Sequence, residues 1–164
     1  MAVPILSIIG KSRSGKTTLI EKLIPALKAK GYRVGTIKHH SHPGFEIDFP
    51  RKDTWRHAQA GSDHVVIAAP DKIASIRILE QELSIEAIAA TMDDVDIILT
   101  DGFKSAMKPA IEVIRAETGL DQIGDPGQAL VIATDTPLDY PIDQVNINDI
   151  PAVIAIIETH FLRR

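Results

Sequence analysis

The 164-residue sequence has no cysteine, which excludes disulfides, thiolate zinc and a cysteine nucleophile. Any metal chemistry falls to carboxylates, hydroxyls and the six histidines. Long apolar runs are also missing: none approaches the roughly 20 residues that span a bilayer, so no membrane partner is expected. A basic excess is absent as well. The formal charge of -4 leaves no general field to hold nucleic acid or an anionic membrane. Aromatic residues amount to 4%, and Trp55, the single tryptophan, reads as core or interface packing. What is present is ordinary for a soluble chain, with 45% hydrophobic and 24% charged residues and length enough for one buried core. One domain over 1–164 in the cytoplasm is therefore expected. The short apolar opening, residues 2–9, has no basic leader or cleavage site and reads as a buried first strand.

Runs rich in Ile and Val recur at 5–9, 33–38, 64–68, 72–78, 95–100, 111–115 and 129–134. Several are continuously apolar, as strands buried on both faces are, and the segments between them fit crossover helices. The predicted fold class is α/β: a three-layer, P-loop NTPase-like sandwich with a mainly parallel sheet. Leu19, Ile20, Leu23, Ile24 and Leu27 give the first helix an inward stripe over 16–30, and Gly31 stops it. Pro25 should clash with the Glu21 carbonyl and kink or break that helix. Asp53 is expected to cap a short helix through 60, and Ser84 another through 91. A last helix should start near Asn148, with Ala152, Val153, Ile156, Ile157 and Phe161 on its apolar face. The Gly/Asp/Pro segment 119–127 reads as a surface loop.

The segment GKSRSGKT, 10–17, matches G-x-x-x-x-G-K-[ST], in which small residues let successive backbone N–H groups curl around phosphate oxygens. Gly10 and Gly15 permit close backbone approach, Lys16 should reach the β and γ phosphates, and Thr17 should give its hydroxyl to Mg²⁺. Lys11, Ser12, Arg13, Ser14 and Thr18 complete the candidate nucleotide-binding loop. The motif follows a hydrophobic strand and opens an amphipathic helix whose positive end faces the anion, the context it requires. Arg13 could also touch phosphate across a dimer interface, or simply be an exposed loop arginine. The strand ending at Asp101 supplies a second acid for Mg²⁺, direct or through water; the alternative is a turn-forming Asp-Gly pair.

Lys38-His39-His40-Ser41-His42 follows the second strand. Three histidines this close rarely converge on one ion, so a polar loop beside the ligand crevice is preferred to structural zinc. Asp48 is a candidate Mg²⁺ or water-orienting carboxylate, and Arg56 a candidate phosphate contact; their alternatives are a solvated turn residue and an exposed helix charge. The N-K-x-D signature of many GTPases is missing. Asp135, after the strand ending Ala133-Thr134, could instead accept from guanine N1 and N2, donors that adenine does not offer as a pair; the alternative is a plain loop aspartate. No residue stands out as a strong water-activating base, so Asp48 and Asp101 are the only catalytic candidates and slow turnover is expected.

The loop GKSRSGKTTL, the stretch RVGTIKHHSH, the segment FEIDFPRKDTWRHAQAG and the strand end TDGFK together resemble the MobB family, the molybdopterin-guanine dinucleotide biosynthesis adaptor proteins. The tail ATDTPLDYP is similar but less specific. The resemblance implies a homodimeric P-loop protein that binds GTP with Mg²⁺ and hydrolyses it slowly at most. It implies as partners the guanylyltransferase that joins GMP to molybdopterin, and molybdopterin itself. It places the phosphate site on Gly10 through Thr18, the loop acid on Asp48 and the strand-end acid on Asp101. Relatives usually carry glutamate before Gly-Phe-Lys; Asp101 is one methylene shorter, which favours metal contact through water. Rival readings are a P-loop small-molecule kinase or ligase using ATP, and a metallochaperone GTPase built on His39, His40 and His42.

Overall fold

The computed structural model describes residues 2–42 and 44–162. The chain expected to form one domain divides into two compact units, one made of the chain up to His39 with the chain from Ser84 onward, the other of His40–Leu83.

The larger unit is built on β1 (Ile5–Gly10), β2 (Val34–Lys38), β5 (Ile97–Asp101), β6 (Ala110–Ile114), β7 (Ala129–Thr134) and β8 (Gln144–Asn146). They lie in the order β2-β5-β1-β6-β7-β8, and every pairing is parallel. The carboxyl ends of all six strands therefore meet at one edge, where a parallel sheet binds ligands. β5 and β6 are buried along their whole length, as their continuous apolar runs require. β8, only three residues and polar at both ends, carries no strand signal in the sequence.

On one face, α1 (Lys16–Ala29) and α4 (Ile150–Ile157) cover Leu6, Ile8, Leu99, Ile111 and Val131. On the other, α3 (Ile85–Ala89) brings Ile85 and Ala89 against Ile5, Ile37, Ile98 and Phe103. The three-layer arrangement is thus as expected. The Ser84 and Asp149 side chains cap α3 and α4 by accepting from the N–H groups of Ala87 and Ala152. Pro25 does not break α1. The helix runs on to Ala29, because Pro25 and Glu21 are both exposed, so the freed carbonyl meets water while Leu23 and Leu27 hold the buried stripe. Gly31, at φ 90°, ends it: the N–H of Gly31 donates to Lys28 and that of Tyr32 to Leu27.

In the smaller unit, α2 (Asp53–Gln59) starts one residue earlier than a cap at Asp53 would give. Lys52 is the cap and Asp53 the first helical residue, placing its charge at the positive end. β3 (His64–Ala69) and β4 (Lys72–Arg77) are not strands of the parallel sheet. They pair antiparallel with each other as a separate two-stranded sheet. Pro70-Asp71 is too short for a parallel crossover and forces a hairpin.

Candidate functional site

At the carboxyl edge, β1 ends on Gly10 with φ 148°, and a Cβ there would stand 2.4 Å from the Val113 carbonyl oxygen. Only glycine fits this passage. Gly15, at φ 97°, turns the chain into α1. Between them Arg13 adopts φ 63°, a left-handed conformation that costs a side-chain-bearing residue about 1–2 kcal/mol. The buried Ser14 faces the loop interior, its hydroxyl without a hydrogen bond among the described residues. Lys16 folds back over the loop, Nζ donating to the Gly10 and Lys11 carbonyls at 3.0 and 2.7 Å.

Thr17 Oγ1 donates to Asp101 Oδ2 at 2.8 Å, and Lys38 Nζ donates to the same oxygen at 2.9 Å. Asp101 is buried, and its Oδ1 accepts no hydrogen bond from a described residue. The β2–β5 register puts Lys38 opposite Asp101, and Ile8 of β1 lies on Asp101's other side. These groups bound a cleft of about 310 Å³ lined by Ser12, Arg13, Lys16, Thr17, Thr18 and Lys38 among others. Burial holds the Lys16 ammonium below its ordinary pKa, opposed by the Asp101 carboxylate and reinforced by Lys38. A larger concavity of about 580 Å³ lies at the sheet's opposite edge, mostly apolar with Glu86, Asp93 and Lys108 among its lining residues. The phosphate-loop cleft holds the convergent chemistry.

Asp135 follows β7 at the same edge. Its Oδ2 accepts from Arg115 Nε at 2.9 Å and its Oδ1 from the Ala116 N–H at 3.1 Å. The Ala116 N–H first, and Arg115 second, hold this carboxyl below its usual range. Lys11 Nζ pairs with Asp121 of the 119–127 loop at 2.7 Å. That loop is fastened from beneath by the fully buried Glu112, whose Oε1 accepts from the Ile123 and Gly124 N–H groups.

The structure thus brings the loop, Thr17 and Asp101 together, and places Asp135 at the same edge. Asp48 belongs to the smaller unit, where Oδ1 accepts from the Phe49 N–H and Oδ2 is buried without a hydrogen bond among the described residues. Arg56, also there, is exposed and 3.8 Å from Asp53. His39 stacks on Phe103 with ring centroids 4.4 Å apart, whereas His40 meets His42 edge-on at 5.9 Å. Among the described residues no group of three or more His, Cys, Asp or Glu is arranged to hold a metal ion. Sequence reasoning missed Lys38, Glu112 and Arg115. Lys38 and Arg115 stand at strand ends, but the strand order that makes those ends neighbours is not written locally.

A parallel sheet whose central strand ends in a glycine loop, with lysine and threonine at the following helix and an acid on the adjacent strand end, defines a P-loop NTPase-like protein. Residues 5–135 match the family described as molybdopterin guanine dinucleotide synthesis protein B. The molybdopterin-guanine dinucleotide biosynthesis adapter protein of Haemophilus influenzae is 38% identical over 160 residues, 95% of this chain and 88% of the relative. That of Escherichia coli K12 is 34% identical, over 90% of this chain and 87% of its own. A crystal structure of molybdopterin-guanine biosynthesis protein B superposes with a TM-score of 0.73 at 30% identity, covering 94% of this chain and 98% of that one. The chain belongs to the MobB family.

Proposed function

We propose that this MobB-family chain is an adapter in molybdopterin-guanine dinucleotide biosynthesis that binds Mg²⁺ and GTP on its phosphate loop. It would assist the guanylyltransferase that attaches GMP to molybdopterin, and hydrolyse GTP slowly at most. The observation that carries the nucleotide part is the convergence of Lys16, Thr17 and Asp101 at one cleft. The name of the relatives supports the adapter part.

The donor set fits a hard cation. Thr17 donates its proton to Asp101, so its oxygen lone pairs would be open to Mg²⁺, and Asp101 Oδ1, buried and without a hydrogen bond among the described residues, would help to hold the cation. Bound there, Mg²⁺ would offset phosphate charge. Lys16, released from the Gly10 and Lys11 carbonyls, would turn to the β and γ phosphates, and the loop N–H groups with the α1 terminus would hold the rest. Asp135, kept ionised, would accept from guanine N1 and N2. Asp48 is proposed as a candidate acid only because the family resemblance implies it. Action in the cytoplasm is part of the proposal; no helix among the described residues is long and apolar enough to cross a membrane.

Calorimetric titration with GTP and with ATP, each with Mg²⁺, on the wild type and on Lys16→Ala tests this. GTP should bind more tightly, and loss of the charged donor should weaken it by about tenfold to a hundredfold. Tighter ATP binding would move the reading to a kinase or ligase. A turnover on the order of 1 s⁻¹ or more, usual for dedicated enzymes, would contradict the slow-hydrolysis proposal.

A further inference from the structure

Arg115 joins the phosphate loop to the residue assigned to the base. It follows β6, and its Nε donates to Asp135 Oδ2 at 2.9 Å while its Nη1 pairs with Glu117 at 3.0 Å. Its Cδ and Nη1 lie 3.8 Å from where a Cβ on Gly15 would stand, with Ile147 Cδ1 at 3.9 Å on the same side. One side chain therefore spans from the turn that holds the phosphates to the carboxylate after β7. The Ala116 N–H, at the start of a short 3₁₀ turn over Ala116–Thr118, fixes the other oxygen of Asp135 at 3.1 Å. We propose that Arg115 is a specificity-determining positioning residue, which with the Ala116 N–H clamps Asp135 to read the N1–H and 2-amino edge of a guanine nucleotide in the absence of an N-K-x-D signature.

The chemistry follows from the lone-pair count. An ionised carboxylate offers about four acceptor sites. Arg115 and Ala116 use one on each oxygen, which leaves one on each for the two donors of guanine. Because the two clamp donors bind different oxygens, the carboxylate is held from both sides and cannot turn away from a base. A neutral aspartic acid would lose one acceptor, and the clamp opposes protonation. The fork geometry of guanidinium matters here, because Nε engages Asp135 while Nη1 is held by Glu117; a lysine has no such second arm. The tether also fixes how far the base reader stands from Gly15, and so which length of nucleotide reaches both.

This inference rests on the assignment of Asp135 as the guanine reader, and the test separates the two. Affinities for the triphosphates of guanosine, inosine, xanthosine and adenosine would be measured with Mg²⁺ on the full chain, for wild type, Asp135→Asn, Arg115→Gln and Arg115→Lys, with melting temperature as the check on folding. Inosine lacks the 2-amino group, so wild type should prefer GTP over ITP by about tenfold or more. Asp135→Asn should invert GTP against XTP, because its amide can donate to the 2-oxo group of xanthine. Arg115→Gln should collapse the GTP-to-ITP ratio toward one while ITP affinity stays within a few fold, and Arg115→Lys should recover little of it. An equal fall for GTP and ITP, or full rescue by lysine, would reduce Arg115 to a structural role and overturn the inference while Asp135 keeps its own. An unchanged GTP and XTP preference in Asp135→Asn would remove the base-reading assignment itself, and the clamp with it.

Discussion

At the scale of single residues, Lys16 and Asp101 do opposite electrostatic work in the same cleft. Burial lowers the Lys16 pKa in the folded protein, so over the alkaline range between its folded and ordinary values the unfolded chain binds more protons, and stability rises with pH there. A bound triphosphate would reverse the shift by favouring the ammonium. GTP affinity should therefore fall as pH climbs through the lowered Lys16 pKa, whereas Lys16→Arg, which cannot be deprotonated in proteins, should show no such limb. Matching alkaline profiles for the two proteins would assign the limb to another group. Asp101→Asn removes the anion that receives both Thr17 and Lys38. Groups that orient metal ligands typically contribute tenfold to a hundredfold in metal affinity, so the variant should lose about that much of the Mg²⁺ dependence of GTP binding. The same dependence in both proteins would place the cation elsewhere. Lys16, Thr17 and Asp101 were legible because the loop motif and a strand-end acid are local patterns. Lys38 was not, since its meeting with Asp101 depends on β2 lying beside β5.

At the scale of elements, α1 shows a local rule yielding to packing. Proline disfavours a helix interior by about 3 kcal/mol relative to alanine, yet the stripe of Leu19, Ile20, Leu23 and Leu27 is buried and continuous past Pro25. Replacing a proline also frees the unfolded chain, which offsets the gain by up to about 1 kcal/mol. Pro25→Ala should thus stabilise the protein by about 2–3 kcal/mol, the remainder of those two terms, read as a higher midpoint in urea. A lower midpoint would mean that the exposed ring makes a contact worth more than the lost Glu21 hydrogen bond. The Ser84 cap was legible for the reason that local chemistry fixes it, as was the Gly31 stop. β3 and β4 were misread as strands of the parallel sheet because apolar runs report burial tendency and not pairing, although the Pro70-Asp71 turn between them held the correction.

At the scale of the whole molecule, surface charge and surface apolarity make separate predictions. Hydrogen bonds from Lys11 to Asp121, from Lys30 to Glu158 and from Lys108 to Glu86 hold those carboxyls below their ordinary range. Their contribution to stability is present at neutral pH and is lost as pH falls through the lowered folded values. All three lie at the surface, so the loss should be small and should shrink further in high salt. The apolar surface is concentrated in the smaller unit. A lone two-stranded hairpin is marginal in water, and in β3–β4 the register puts Val66, 49% exposed, and Ile73, 71% exposed, on the same face, opposite the buried Val65. In the homodimer that the family resemblance implies, that face is where a second copy would sit. Val66→Lys combined with Ile73→Lys should convert a dimeric mass in light scattering to the 17.9 kDa monomer. GTP binding should persist, because the phosphate loop, Asp101 and Asp135 all belong to the larger unit, and any fall in affinity would measure what Arg13 adds across the interface. A wild type that is already monomeric would end both the dimer and any role for Arg13 across its interface. A dimer that survives both lysines would have to be built on another surface, with the exposed Phe45, Ile47 and Phe49 the next apolar group to test.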